Sequence, residues 1–422
     1  MPDFQQAVLL REHHRYEEAI QEFLGVLAQD PDFADAHAQL ALTYYQMPGR
    51  SMSEKALDSI DRAIQCEADE SYYHAVKAMV LSDLDQDRKA LKAAEAAIAL
   101  NPGPMEWSAK GQALTGLQRW ADAEAAFDVV LAMDPDSDMA QNMRTICLRM
   151  QNKLDETEAA SHSRLERDAE DPMAFANSGW GALQRGNREE AETMFREALR
   201  LDPGNEYARR GLLEAFKARS PLYRVYHKWC FFMQRFTEGK QWLIIIGLYL
   251  IFRFGRTLAE KVSPLLAGGL VFVYLVFALW TFVAPGLGHF LILLDKRARF
   301  SLRSYEKWDG LLVGGLLVAG ILLACVGLVV NTGLAIAGAF LALSTVPFAM
   351  VFRNRILVGR LLFTGVGALA VVTALLILFA TVFSVSSDTQ QLIKSMVSIS
   401  ALAIMLTTWG ANLPILNRPR VE

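Results

Sequence analysis

Three ionisable side chains stand where an apolar sequence makes them costly. Arg253 and Arg256 follow directly on WLIIIGLYLIF, and His289 closes the stretch Pro285-Gly286-Leu287-Gly288-His289 within a second apolar run. Ionisable groups inside a membrane segment are expensive, so each is a functional candidate by default. The imidazole has two readings: it handles a proton or a ligand, or it bonds a backbone carbonyl freed by Pro285. The arginines lie three residues apart and share one helix face. They either line a substrate path or snorkel, with Arg256 reaching Glu260 at i+4. The four cysteines, Cys66, Cys147, Cys230 and Cys325, are isolated. With no CxxC and no His at ligand spacing, they read as buried small hydrophobes in a reducing compartment. No Walker loop, HExxH, GxSxG or strand–helix GxGxxG occurs. The sequence therefore predicts no catalytic residue, no cofactor and no metal site. Paired acids and internal duplication, which a proton-coupled transporter would show, are not expected in the apolar part either.

The elements that must position these groups are apolar helices. Apolar runs occupy 242–260, 265–294, 310–330, 332–352, 359–384 and 390–411. Each of the last five suits a helix of about 20 residues crossing a hydrocarbon core roughly 30 Å thick. Basic residues crowd 295–309 and 353–360 and recur at Arg418 and Arg420, whereas 331–333 and 386–388 carry none. Basic loops stay cytoplasmic. With both termini inside, an even number of crossings follows, and 242–260 must be one of six; a re-entrant first segment is the competitor. Ahead of it, 220–241 alternates aromatic and basic side chains, which predicts an interfacial helix on the inner leaflet, the alternative being a straight extension of the first crossing. Gly310 with Gly314, and Ala335 with Ala339, supply small-xxx-small contacts between helices. Pro285 is expected to interrupt the second helix and Pro347 to kink the fourth.

Residues 1–219 are built differently. A triplet recurs at Ala19, Phe23, Val26; Ala90, Ala94, Ala97; Ala123, Phe127, Val130; and Ala191, Phe195, Ala198, each followed by Asp-Pro or Asn-Pro. Weaker copies at Ala56, Ile60, Ala63 and at Thr157, Ser161, Arg164 lack the proline. Upstream of the fourth and sixth copies stand Trp107, Gly111, Leu114 and Phe175, Gly179, Ala182. A fixed period near thirty-four residues marks a stack of helical pairs, none of which can bury its apolar face alone.

These positions resemble the tetratricopeptide repeat (TPR) family, here as a bacterial-type TPR protein fused to a polytopic membrane domain. The resemblance covers about residues 1–204. It implies an all-α chain: a TPR α-solenoid of six helix–turn–helix units (1–33, 34–70, 71–103, 104–137, 138–171 and 172–204), followed by a transmembrane bundle over 242–413. The helix at 205–219 is expected to cap the array, with Arg209, Arg210 and Lys217 on its wet side. The resemblance also implies protein recognition on a concave face lined by first helices. Its candidate lining residues are His37, Tyr44, His74, Lys77, Lys110, Asn142, Arg144 and Asn177. Lys and Asn are not at the positions with which some members clamp a C-terminal carboxylate, so that activity is not implied.

Charge narrows the partner. Residues 1–219 hold 24 Lys+Arg against 39 Asp+Glu, and the remainder holds 18 against 7. So acidic an array would be repelled by phosphates, which excludes nucleic acid and favours a protein partner, one with a basic segment. The N-terminus has no secretory signal. The sequence thus points to a non-enzymatic scaffold, multi-pass in the inner membrane, touching lipid through its bundle and a protein through cytoplasmic repeats. The alternative is a transporter, channel or membrane enzyme regulated by the repeats, with Arg253, Arg256 and His289 as its working residues.

Overall fold

The structure, a computed structural model, describes residues 3–296, 298–354, 356–383, 386–410, 413 and 416. Arg418 and Arg420 lie outside them. The regular elements among the described residues are all helices. The first twelve follow one another as α1 (Phe4–Glu12) and α2 (Tyr16–Gln29), α3 (Ala34–Gln46) and α4 (Arg50–Cys66), α5 (Ser71–Asp83) and α6 (Asp87–Leu100). They continue as α7 (Pro104–Gly116) and α8 (Trp120–Met133), α9 (Asp138–Met150) and α10 (Leu154–Arg167), α11 (Pro172–Arg185) and α12 (Arg188–Leu201).

Each pair turns through one residue of positive φ: His14, Gly49, Asp85, Gln118, Asn152 or Gly186. After four of these, the next N–H reaches back five residues, Arg15 to Leu10, Gln86 to Leu81, Arg119 to Leu114 and Lys153 to Leu148. This closes the preceding helix in a Schellman motif. A side chain in the left-handed region costs about 1–2 kcal/mol, so packing on both sides of the turn must hold it there. The second helices end on extended Asp30, Asn101, Asp134 and Asp202, each before a proline, as the restricted backbone ahead of proline requires. Glu67 and Asp168 reach the same geometry without one.

All six triplets are buried, including Thr157, Ser161 and Arg164. Gly111 makes room for the fourth pair: a β-carbon there would meet the Phe127 ring at 2.6 Å. Where the fifth pair carries Arg164 in place of a small residue, the guanidinium meets the carboxylate of Asp171 at 2.7 Å from Nε and the Asp138 carbonyl at 3.0 Å from Nη1. The repeat is weak in sequence and compensated in structure.

The chain divides into two compact units, Met1–Arg185 with Cys230–Ile245, and Gly186–Trp229 with Ile246–Glu422. In the first, the segment after residue 230 packs back on the repeat turns. Trp120 Nε1 donates to the Gln234 carbonyl at 2.8 Å, Arg235 to Asn152 at 2.6 Å and Gln241 to Gln118 at 2.9 Å.

The second unit starts at Gly186, upstream of the boundary at 219 read from sequence, and holds α12, α13 (Glu206–Lys217), most of α14 (Pro221–Met233) and the apolar helices. These are α15 (Glu238–Val262) from Ile246 on, α16 (Pro264–Leu294), α17 (Ser304–Asp309), a π-turn over Gly310–Gly314, α18 (Gly315–Val330), α19 (Thr332–Leu343), α20 (Thr345–Arg353), α21 (Leu357–Val382) and α22 (Ser387–Gly410). Among the described residues, six helical stretches are long and apolar enough to cross a membrane: Glu238–Val262, Pro264–Leu294, Ser304–Val330, Thr332–Phe352, Leu357–Val382 and Ser387–Thr408.

One expectation is corrected here. Pro285 does not interrupt the second apolar helix: α16 runs through it. One lost hydrogen bond is offset by α17 and the π-turn packing against the same stretch. The third stretch begins before its apolar run, so Glu306 and Asp309 are buried at its start. Gly320, Gly327 and Gly338 bring the backbones of α18 and α19 into contact, with a β-carbon at Gly327 only 2.1 Å from the Ala335 nitrogen. The small residues that the sequence pointed to at 310 and 314 instead face α16, against His289 and Phe290.

Candidate functional site

On the repeats, His37 Nε2 lies 2.9 Å from the Pro31 carbonyl and His74 Nε2 lies 2.8 Å from that of Ala68. Gln141 does the same with Pro135 at 2.6 Å. Each is six residues past the carbonyl it meets, so one repeat position satisfies the loop between units. Tyr44 sits under the Lys55 ammonium, 5.6 Å from ring centre to Nζ, and burial pushes its phenol up. Lys77 pairs with Asp61 at 2.7 Å and Arg144 with Asp128 at 2.5 Å. Lys110 lies over the Trp107 ring at 4.9 Å, and buried Asn177 donates to Asn142 at 3.4 Å.

The structure brings four of these together in two grooves. His37 and Tyr44 floor one of about 360 Å³, walled by Leu24 on one side and Lys55 and Arg62 on the other. His74 and Lys77 floor a second of about 380 Å³, walled by Leu57, Lys89 and Lys92. In both, a first helix is the floor and second helices are the walls. Asn142, Arg144 and Asn177 lie further along the array and Lys110 between, outside either groove.

In the second unit the capping helix α13 is solvated only in part: Arg210 is exposed as expected, Arg209 is half-buried and Lys217 is buried. The Lys217 side chain is 4% exposed, and its Nζ meets Glu214 Oε1 at 2.7 Å. Glu214 Oε2 is 2.7 Å from His227 Nε2 and 3.3 Å from the Tyr223 hydroxyl. Burial opposes ionisation of Glu214, yet Lys217 and His227 outweigh it and hold the carboxyl well below the usual carboxylate range. Around this centre three ion pairs tie the helix to the 295–309 loop. Arg209 Nη1 donates to Glu306 at 3.2 Å, Arg303 pairs with Glu206, and Arg219 bridges Asp295 and Glu192. Burial weakens the charge on Arg209, but Glu206 and Glu306 raise its affinity for the proton overall.

No sequence reading singled out Glu214, His227, Asp295, Glu306 or Asp309. The acids at 295, 306 and 309 were the available signal, in a loop weighed only for its basic residues.

His289 meets Asp309 at 2.8 Å, Nδ1 to Oδ2. Beside it, Gly288 lies under Lys217 and Tyr223: a β-carbon there would sit 2.7 Å from Lys217 Cδ and 2.8 Å from Tyr223 Cε2. Arg253 and Arg256 are elsewhere. Both are exposed on α15, which buries none of its residues, and Arg256 Nε donates to Glu260 at 2.9 Å. Phe252 stacks on Tyr274 at 4.1 Å, and His289 lies fifteen residues further along that helix, about 22 Å at 1.5 Å per residue. The three basic candidates do not share one site.

Cys147 is buried and its thiol is pushed up to about 12. Cys66 and Cys325 are exposed rather than buried, the first closing α4 and the second on α18. Among the described residues no group of three His, Cys, Asp or Glu is placed to hold a metal ion.

Two family models match the sequence, one described as TPR repeat over residues 9–47 and one as Tetratricopeptide repeat over 77–138, 108–160 and 177–219. No curated protein matches it. Similar solved structures include YrrB, a TPR protein with an unusual peptide-binding site, at 19% identity and TM-score 0.34 over 44% of this chain and 95% of that one. PilW, a type IV pilus biogenesis factor, is similar at 22% identity and TM-score 0.40 over 47% and 90%. A thermophilic TPR protein of Thermus thermophilus is similar at 16% identity and TM-score 0.38 over 43% and 98%.

Proposed function

We propose, from the premise that the N-terminal part of this chain belongs to the tetratricopeptide repeat family, that it is a membrane-anchored adaptor whose repeats hold a protein partner beside the bilayer. The observation that carries this reading is the ion-paired capping helix. The last element of the repeat region belongs to the same compact unit as the apolar helices. Arg209, Arg219 and Glu206 fasten that last element to the 295–309 loop within this unit. The adaptor carries no catalysis of its own. The −15 charge of residues 1–219 supports a protein rather than a nucleic-acid partner, and lipid surrounds the apolar helices.

A photo-crosslinking residue in place of Arg62 or Lys92, both exposed on groove walls, should give discrete protein adducts in native membranes. Adducts to lipid alone, or none from either position, would remove the adaptor reading.

The basic loops further support six crossings with both termini cytoplasmic. A reporter fused after Arg420 should then report the cytoplasm, and one inserted at Ser387 the opposite side. Both on one side would exclude this topology.

A further inference from the structure

The bundle holds an acid–base pair that the adaptor reading does not use. Asp309 is 2% exposed, accepts from His289, and leaves its Oδ1 without a hydrogen-bond partner. The charged groups around it are otherwise matched. On α13, Lys217 meets Glu214 and Arg209 meets Glu306; on α14, His227 meets Glu214. At the end of α16, Asp295 meets Arg219. The turn at Ala298–Ser301 brings Arg299, turned onto the Phe300 ring, while α18 and residues 345–352 of α20 add no ionisable group beyond exposed Cys325. The pair cannot separate easily. Gly310 presses on the His289 backbone, where a β-carbon would lie 2.8 Å from its carbonyl carbon, and Gly286 abuts Val313 and Asp309. The π-turn begins at the residue after Asp309, a local geometry common at functional sites.

We propose that His289 and Asp309 form a proton-binding site whose occupancy is coupled to the seating of the capping helix α13. With Nδ1–H donating to Oδ2, Nε2 is the free base. A proton from water adds there, giving an imidazolium beside a carboxylate, and no other bond changes. The new positive charge lies next to Gly288, over which the Lys217 methylenes are packed, with the Lys217 ammonium held at Glu214. Two like charges with little water between them repel strongly. Proton binding therefore loosens α13, and by linkage whatever draws α13 away raises the proton affinity of the pair.

The test is hydrogen exchange on the full-length protein in phosphatidylcholine–phosphatidylglycerol nanodiscs, corrected for intrinsic rates, between about pH 5 and 8 where histidine titrates. Protection over 206–217 should fall about tenfold on acidification, the amount that one pKa unit of coupling carries, while 16–29 stays unchanged. His289→Asn and Asp309→Asn should each abolish the step. Lys217→Met leaves the pair intact and should also flatten the step, which keeps the test open if the other two variants misfold. A flat wild-type profile, or a step that survives Lys217→Met, overturns the proposal.

Discussion

Arg164→Ala should destabilise the repeat region by about 3–5 kcal/mol, the cost of removing one partner from a buried ion pair. Arg164 and Asp171 are both about nine-tenths buried, and their bond closes a helix end that has no proline. Asp171 also accepts from the backbone N–H groups of Met173 and Ala174, so it caps α11 as well. Without the guanidinium its charge stays buried among neutral partners. In a stack of nearest-neighbour contacts such damage stays local before it spreads. Hydrogen exchange should therefore rise first in 154–185, with 16–66 still protected. Adding Asp171→Asn should recover part of the loss, since it removes the orphaned charge while keeping a cap. A cost under 1 kcal/mol for the single variant would mean the pair is solvated and the fifth repeat is held by something else.

Glu214→Gln should cost about 3 kcal/mol, at the low end for a buried pair because the carboxylate keeps 27% exposure. It strands Lys217 as a buried cation and weakens the contact to His227. The sign of the pH dependence follows from the lowered pKa of Glu214. Its contribution is fully present above the ordinary carboxylate pKa and is lost as pH falls through the lower folded value. Wild-type and Glu214→Gln proteins should thus still differ at about pH 5, near the unfolded value, and converge only in strong acid. Thermal melts across that range would show this. Any loosening of α13 above pH 5 must then come from another group, which separates this effect from titration of the His289–Asp309 pair. A difference that already closes by pH 6 would refute the assignment of Glu214 as the anchor of Lys217.

Much of the architecture was legible in residue spacing. The triplets at Ala19, Phe23, Val26 and their copies appear as core because helical periodicity is local: positions three and four apart share a face whatever lies elsewhere in the chain. Asp-Pro marks helix ends for an equally local reason. The αL turns were less legible, since Gln118 and His14 give no sign of positive φ, and only the helices on either side hold them there.

The candidate site was hardly legible at all. Arg209 and Glu306 are ninety-seven residues apart and Arg219 and Asp295 seventy-six, separations at which no periodicity connects one charge with another. Read alone, α13 is an amphipathic cap with a wet basic face, and 295–309 is a cytoplasmic basic loop. Packed together, each supplies the other's counter-charges, and Lys217 is buried over a glycine that alone leaves it room. His289 shows the same division. Its sequence setting raised the possibility of proton chemistry but assigned no partner, because Asp309 stood just outside the apolar run taken as the helix. The sequence by itself determined the repeat architecture and the six apolar helices, both products of short-range pattern. Tertiary structure decided which charges are buried and paired, because desolvation depends on what packs against a side chain and not on its neighbours along the chain.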